Sequence, residues 1–184
     1  MSGILKNIIT FIIALFDRKP YGALSQTTAY YWVMPWDAGL RVLKSDKYLQ
    51  FAECTQLDYL VKTKLFSVLL SKGIPFVNAA QLIKFAKPIS MFSHVKVITQ
   101  VIYLDDKFVY FEHIFLSQNK SCATVLVKMK FKQGKLTVKP AEMLGTFAGG
   151  KPAHLQAWDE SLTGIAWNGY KKAGSYRIYS LSSY

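Results

Sequence analysis

Among the side chains able to do chemistry, two carboxylates and two histidines stand out by position. Asp37 opens the turn Asp37-Ala38-Gly39, just ahead of a predicted helix that starts near Ser45. A turn aspartate can bond its own backbone, or it can offer a carboxylate beside the positive start of a helix. Glu53 falls in the middle of the same helix, where burial would demand a partner or raise its pKa. It reads either as a functional acid or as a structural glutamate bonded to a strand or to a partner subunit. His94 and His113 lie on predicted strands. Either imidazole could act as a base, yet no nucleophile, base and orienting group recur at a readable spacing. Three histidines without ligand spacing argue against a metal site. Cys54 and Cys122 form no C-x-x-C pair and are too few for a disulfide framework, so they read as buried thiols in a reducing compartment.

The elements that must position these groups follow from patterning. The 184 residues suit one domain with extra length at its ends, and 51% apolar against 18% charged residues favours a packed core over disorder. Gln26 to Trp36 is rich in Thr, Tyr, Trp and Val and reads as a strand ending near Pro35. Ser45 is the expected N-cap of the helix, with Asp46 in its first turn. Tyr48, Leu49, Phe51, Ala52, Leu57, Tyr59 and Leu60 cover more than one stripe of that helix, so it is expected to be buried on most sides. After Gly73-Ile74-Pro75, four strand-like segments run from Ala79 to Ala86, Val95 to Leu104, Phe108 to Leu116 and Ser121 to Phe131. Short turns at Asp105-Asp106-Lys107 and Gln133-Gly134 imply antiparallel pairing. The resulting sheet must bury its apolar face on the one long helix.

That order is α+β and matches the hotdog fold, a curved antiparallel sheet of five to six strands wrapped around one central helix. The run Tyr48-Leu49-Gln50-Phe51-Ala52-Glu53 through Leu57-Asp58-Tyr59-Leu60 resembles the helix of 4-hydroxybenzoyl-CoA thioesterase-like and acyl-CoA thioesterase-like proteins, with Gln56 where their pattern often has Arg. Phe85-Ala86-Lys87-Pro88-Ile89-Ser90 is similar to their strand-Y-x-x-P-L segment. Phe108-Val109-Tyr110-Phe111-Glu112-His113 is similar to a long strand of theirs. The likeness covers about residues 26 to 145. It departs at the loop that usually reads D-x-D-x-x-G-H-x-N-N-x-x-Y. There Asp37 alone remains, shifted by one position, and Val42, Lys44 and Ser45 stand near the places of the His and both Asn.

The resemblance implies thioester hydrolysis of an acyl-CoA or an acyl carrier protein substrate. Asp37 would be base or nucleophile, with Glu53 as the second candidate. The helix start at Ser45 and Asp46 would be the oxyanion site, in a tunnel at a homodimer interface. Coenzyme A would be part of the substrate, and no separate cofactor is implied. Lys87, Lys96, Lys128 and Lys130 are the candidates for gripping its phosphates; each also reads as part of a solvated basic face. The degenerate loop keeps a second reading open, a non-catalytic protein that binds acyl chains or acyl-CoA.

The net charge of +12 suits a polyanionic partner. Without a basic cluster or a recognition motif, nucleic acid is the weakest such partner, and none is expected. Residues 1–24 are expected to form an amphipathic helix and linker. Ile4, Ile8, Ile9, Ile12, Ile13 and Phe16 recur at helical spacing ahead of Arg18 and Lys19, too short a stretch to span a bilayer. Residues 1–19 either touch an anionic membrane surface or dock on their own domain. The expected location is therefore cytoplasmic, with or without contact at the membrane. Residues 25–145 are expected to form the hotdog domain. Residues 146–184 form an aromatic, basic extension that should pack rather than stay disordered.

Overall fold

The structure, a computed structural model, describes Ile12, Ala14 and residues 19–164. Most of the expected N-terminal helix, and the tail aromatics from Trp167 onward, lie outside the described residues. The chain divides into two compact units at Gly149–Gly150. In the first unit β1 (Thr27–Trp32) is followed by helix α1 (Ser45–Lys62) and the short helix α2 (Leu65–Ser71). Then come β2 (Phe76–Phe85), β3 (His94–Leu104), β4 (Val109–Ser117), β5 (Lys120–Gln133), β6 (Leu136–Val138) and the turn-length helix α3 (Ala141–Leu144). The second unit carries α4 (Ala153–Gly164), a helix inside what the sequence suggested was only an extension.

All six strands form one antiparallel sheet in the order β1-β3-β4-β5-β2, with β6 added to β5. Alternation sets its two faces. Val95, Val97, Thr99 and Val101 of β3, and Ala123, Val125, Val127, Met129 and Phe131 of β5, turn inward and are buried. Their neighbours in sequence point to the outer face. β1 and β2 occupy opposite edges, so α1, which connects them through α2, must cross the inner face between.

The inner face closes around α1 from end to end. Tyr31 of β1 stacks on Phe51 at 5.0 Å, Tyr48 meets Phe85 of β2 and Phe115 of β4 at 5.1 and 5.3 Å, and Tyr59 meets Phe111 edge-on at 5.2 Å. Phe51, Ala52, Cys54, Tyr59 and Leu60 are fully buried, as are Thr55, Gln56 and Asp58. This is the hotdog arrangement expected from the apolar coverage of the helix. Gln56, standing where the related pattern often has Arg, donates to Asn78 Oδ1 at 3.1 Å and to Met129 Sδ at 2.8 Å, so a neutral amide satisfies the position.

Several boundaries shift. β1 ends at Trp32 rather than near Trp36, because the chain turns at Pro35. β2 begins at Phe76, directly after Pro75. The helix ends at Lys62, where Thr63 Oγ1 donates to the Tyr59 carbonyl at 2.7 Å and Lys64 takes a left-handed φ of 60°.

A buried ion pair closes the helix end. Lys62 Nζ lies 2.9 Å from the Asp58 carboxylate and donates to the Thr28 carbonyl at 3.1 Å, tying α1 to edge strand β1. Removing one member leaves a buried charge without its counter-ion. Lys62→Met should lower the unfolding free energy by about 3–5 kcal/mol in urea titration, and adding Asp58→Asn should recover part of that loss.

Candidate functional site

The segment from Val33 to Lys44 is a small hairpin docked on the chain from Ile89 to Ser93. Ala38 and Leu43 bridge within it, and Val42 bridges to Ser90. Leu43 N–H donates to the Ile89 carbonyl at 2.8 Å, Met91 N–H to the Arg41 carbonyl at 2.8 Å, and Phe92 N–H to the Val33 carbonyl at 2.8 Å. These bonds fix the loop at one end of the sheet, beside the start of α1.

Asp37 is fully buried in that loop. Its Oδ2 accepts from Met34 N–H at 3.3 Å, and its backbone carbonyl accepts from Lys44 N–H at 3.1 Å. The first contact is the turn role weighed for it above. The second sets Asp37 directly against the helix start. Lys44, not Ser45, is the N-cap: the bond to Asp37 holds Lys44 extended, at φ −69° and ψ 148°, and its carbonyl takes the Lys47 N–H. Among the described residues no side chain caps α1. Ser45 and Asp46 are exposed in its first turn, and the Asp46 carboxylate lies 3.9 Å from Lys47 Nζ.

Glu53 corrects the expectation of a buried acid. It is exposed, because one stripe of α1 through Asp46, Gln50, Glu53 and Leu57 faces away from the sheet. The helix is enclosed on most sides rather than all.

The four lysines proposed as a phosphate grip are not brought together. Lys87 is exposed, and its N–H donates to the Cys122 carbonyl at 2.9 Å. Lys96 pairs with Leu116, at the same end of the sheet as the Asp37 loop. Lys128 and Lys130 lie on β5 beyond Ser121, the partner of Leu116, with Lys128 about 23 Å along the strand from it. Lys128 Nζ sits over the Phe108 ring at 4.1 Å and the Tyr110 ring at 5.4 Å. Alternation put all three strand lysines on the outer face; only the register separates them.

The histidines part company. His94 is exposed on the outer face. His113 is fully buried under α1, with Nδ1 3.0 Å from both Thr55 Oγ1 and Thr99 Oγ1. Thr55 gives its hydroxyl proton to the Ala52 carbonyl at 3.0 Å, so it accepts from the ring, and Nδ1 is the protonated nitrogen. Nε2 then carries only a lone pair, and it has no partner among the described residues. Burial pushes the imidazole down to about 3. A ring held neutral this way packs the helix against β3 and β4. No local pattern announces the two threonines, which lie 58 and 14 residues away.

Residues 33–150 match the thioesterase-like superfamily. The chain belongs to it. No curated protein matches the chain. Among solved structures, a probable thioesterase from Bartonella henselae is 19% identical, with a TM-score of 0.57 over 62% of this chain and 98% of its own. A DHNA-CoA thioesterase from Staphylococcus aureus is 14% identical, with a TM-score of 0.56 over 76% and 90%. A mutant 4-hydroxybenzoyl-CoA thioesterase complexed with 4-hydroxybenzoyl-CoA is 11% identical, with a TM-score of 0.58 over 64% and 95%. At these identities the likeness is one of fold. Among the described residues no helix is long and apolar enough to cross a membrane.

The His113 cluster gives this thioesterase-like chain a pH signature. The native ring stays neutral down to about 3, whereas an unfolded histidine takes a proton below about 6.5. Its contribution is therefore complete above pH 6.5 and falls as pH drops toward 3, by up to about 1.4 kcal/mol per pH unit. Urea titrations at pH 7.5 and 5 should show that loss in the wild type and a smaller one in His113→Gln.

Proposed function

We propose that this protein hydrolyses the thioester of an acyl-CoA or an acyl carrier protein substrate at the start of α1. The observation that carries the reading is the bond from Lys44 N–H to the Asp37 backbone carbonyl, which keeps that residue beside a helix start without a side-chain cap among the described residues. Hydrolysis needs those two components together. The carboxylate attacks the thioester carbonyl or takes a proton from the attacking water. The unused N–H groups of the first helical turn, with the positive end of the helix dipole, hold the oxygen that becomes negative. The thiolate then leaves and takes up a proton; after direct attack, water opens the anhydride left on Asp37, which releases the acid and restores the carboxylate. Coenzyme A enters as part of the substrate, and no further cofactor is needed for these steps.

Asp37→Asn keeps the shape and the turn contact but removes the base or nucleophile. It should lower turnover of medium or long acyl-CoA by about a hundredfold or more with an unchanged melting temperature. Turnover equal to wild type would show that the reaction runs elsewhere.

A second reading is favoured by the enclosure of Asp37 and by Val42, Lys44 and Ser45, which replace the His and both Asn of the related loop. In that reading the fold binds an acyl chain or acyl-CoA and leaves it intact. Affinity for acyl-CoA without release of free thiol over hours identifies it.

We infer that a second copy of the chain pairs along the open edge of β2. Among the described residues this ten-residue strand pairs only with β5, and Val77, Leu82 and Phe85 are half exposed on it. A long apolar edge recruits another strand unless it is covered. Phe85 also touches Tyr48, in the first turns of α1, so a second copy there would stand next to the proposed site. Leu82→Lys should convert the species seen by light scattering from twice the chain mass to one chain mass; an unchanged mass would rule out that edge.

A further inference from the structure

The outer face of the sheet carries a cleft of about 710 Å³ that the thioester reading does not use. It is lined by Tyr30, Trp32, Phe92, His94 and Lys96, with amides from Gln118 and Asn119. Register builds it: Trp32 lies opposite His94, and Tyr30 opposite Lys96. The Tyr30 and His94 rings are parallel at 5.3 Å, and Trp32 leans on the same imidazole at 5.3 Å and 58°. Although they form one group, Trp32 is 61% exposed, Tyr30 59% and Phe92 60%. Large aromatics left this open beside one another mark a contact surface.

Backbone conformation gives an independent sign. Phe92 holds a left-handed φ of 61°, costly for an aromatic residue and typical of places where a ligand is held. It is pinned by its N–H bond to the Val33 carbonyl at 2.8 Å and by the neighbouring Ser93 hydroxyl, which donates to the Ser90 carbonyl at 2.6 Å. On the opposite rim Gln118 and Asn119 form a two-residue hairpin with φ of 51° and 59°, which places both residues at the edge of the cleft.

The chemistry selects the ligand. Open ring faces accept a flat ring by stacking. Lys96 asks for an anion, and among the described residues no carboxylate lines the cleft to neutralise it. The amides offer donors and acceptors to ring edges or hydroxyls. We propose that this cleft binds a nucleoside phosphate, with the base stacked on Trp32 and the phosphate at Lys96. The nucleotide has two sources, a free nucleotide or the 3′-phosphoadenosine diphosphate head of a coenzyme A thioester. In the second case the inference rests on the thioester reading. The Asp37 loop continues from the same strand, through Val33, and docks on the segment that carries Phe92.

Calorimetric titration of the full chain tests this with ligands that contain no thioester, so the result is independent of hydrolysis. ADP should bind, and adenosine or ribose 5-phosphate should bind about tenfold more weakly or worse. Trp32→Ala and Lys96→Gln, both on the surface, should each weaken ADP about tenfold while circular dichroism stays that of the wild type. 3′-Phosphoadenosine diphosphate binding about tenfold tighter than ADP assigns the coenzyme A head; equal affinities assign a free nucleotide. No heat with any nucleotide, or affinities unchanged in both variants, overturns the proposal. So does a change of oligomeric mass in Trp32→Ala without loss of nucleotide affinity, which would make the face a contact between copies.

Discussion

The enclosure of α1 by a bent antiparallel sheet is the constraint on which the remaining features depend. A helix with Tyr48, Phe51, Ala52, Tyr59 and Leu60 around its circumference cannot lie on a flat surface without exposing apolar area. The sheet must curve, and its two edge strands must both reach the helix. Tyr31 on Phe51 and Phe85 on Tyr48 are those two reaches, one from each edge. Once they are made, the axis of the helix is set and its N-terminus has one place to emerge, under the Val33–Lys44 loop.

The polar groups under the helix refine that geometry. Thr55, Thr99 and His113 meet in the centre, and Gln56 meets Asn78 toward the β2 edge. Asp58 and Lys62 close the end near β1. Such buried contacts satisfy few alternative registers, because a one-residue slip would turn each partner to the outer face. They define the rotation of the helix about its axis, and with it which stripe faces outward.

Much of this was legible in the sequence. Element order, antiparallel pairing and the buried helix follow from periodicity and turn residues, which are local signals. The place of Asp37 was legible to within a turn, because Asp37-Ala38-Gly39 and a helix start lie so close together. What failed was long-range. Apolar neighbours in sequence predict burial for Glu53, but the exposed stripe depends on helix rotation, set by contacts such as Gln56 with Asn78. The four lysines looked equivalent because alternation fixes the face and not the register. β6, three residues long, and α4 in the second unit carry too weak a periodic signal to separate from loop. Lys44 took the cap from Ser45 through a backbone bond that no residue type announces.

The outer face and the helix start share β1 and the loop that follows it. The account stands or falls on where a thioester is received. Amide chemical shifts recorded while the protein is titrated with a non-hydrolysable acyl-CoA thioether measure this directly. The account predicts the largest changes within residues 37–48. Changes confined to other segments, with those amides unmoved at saturation, would contradict it.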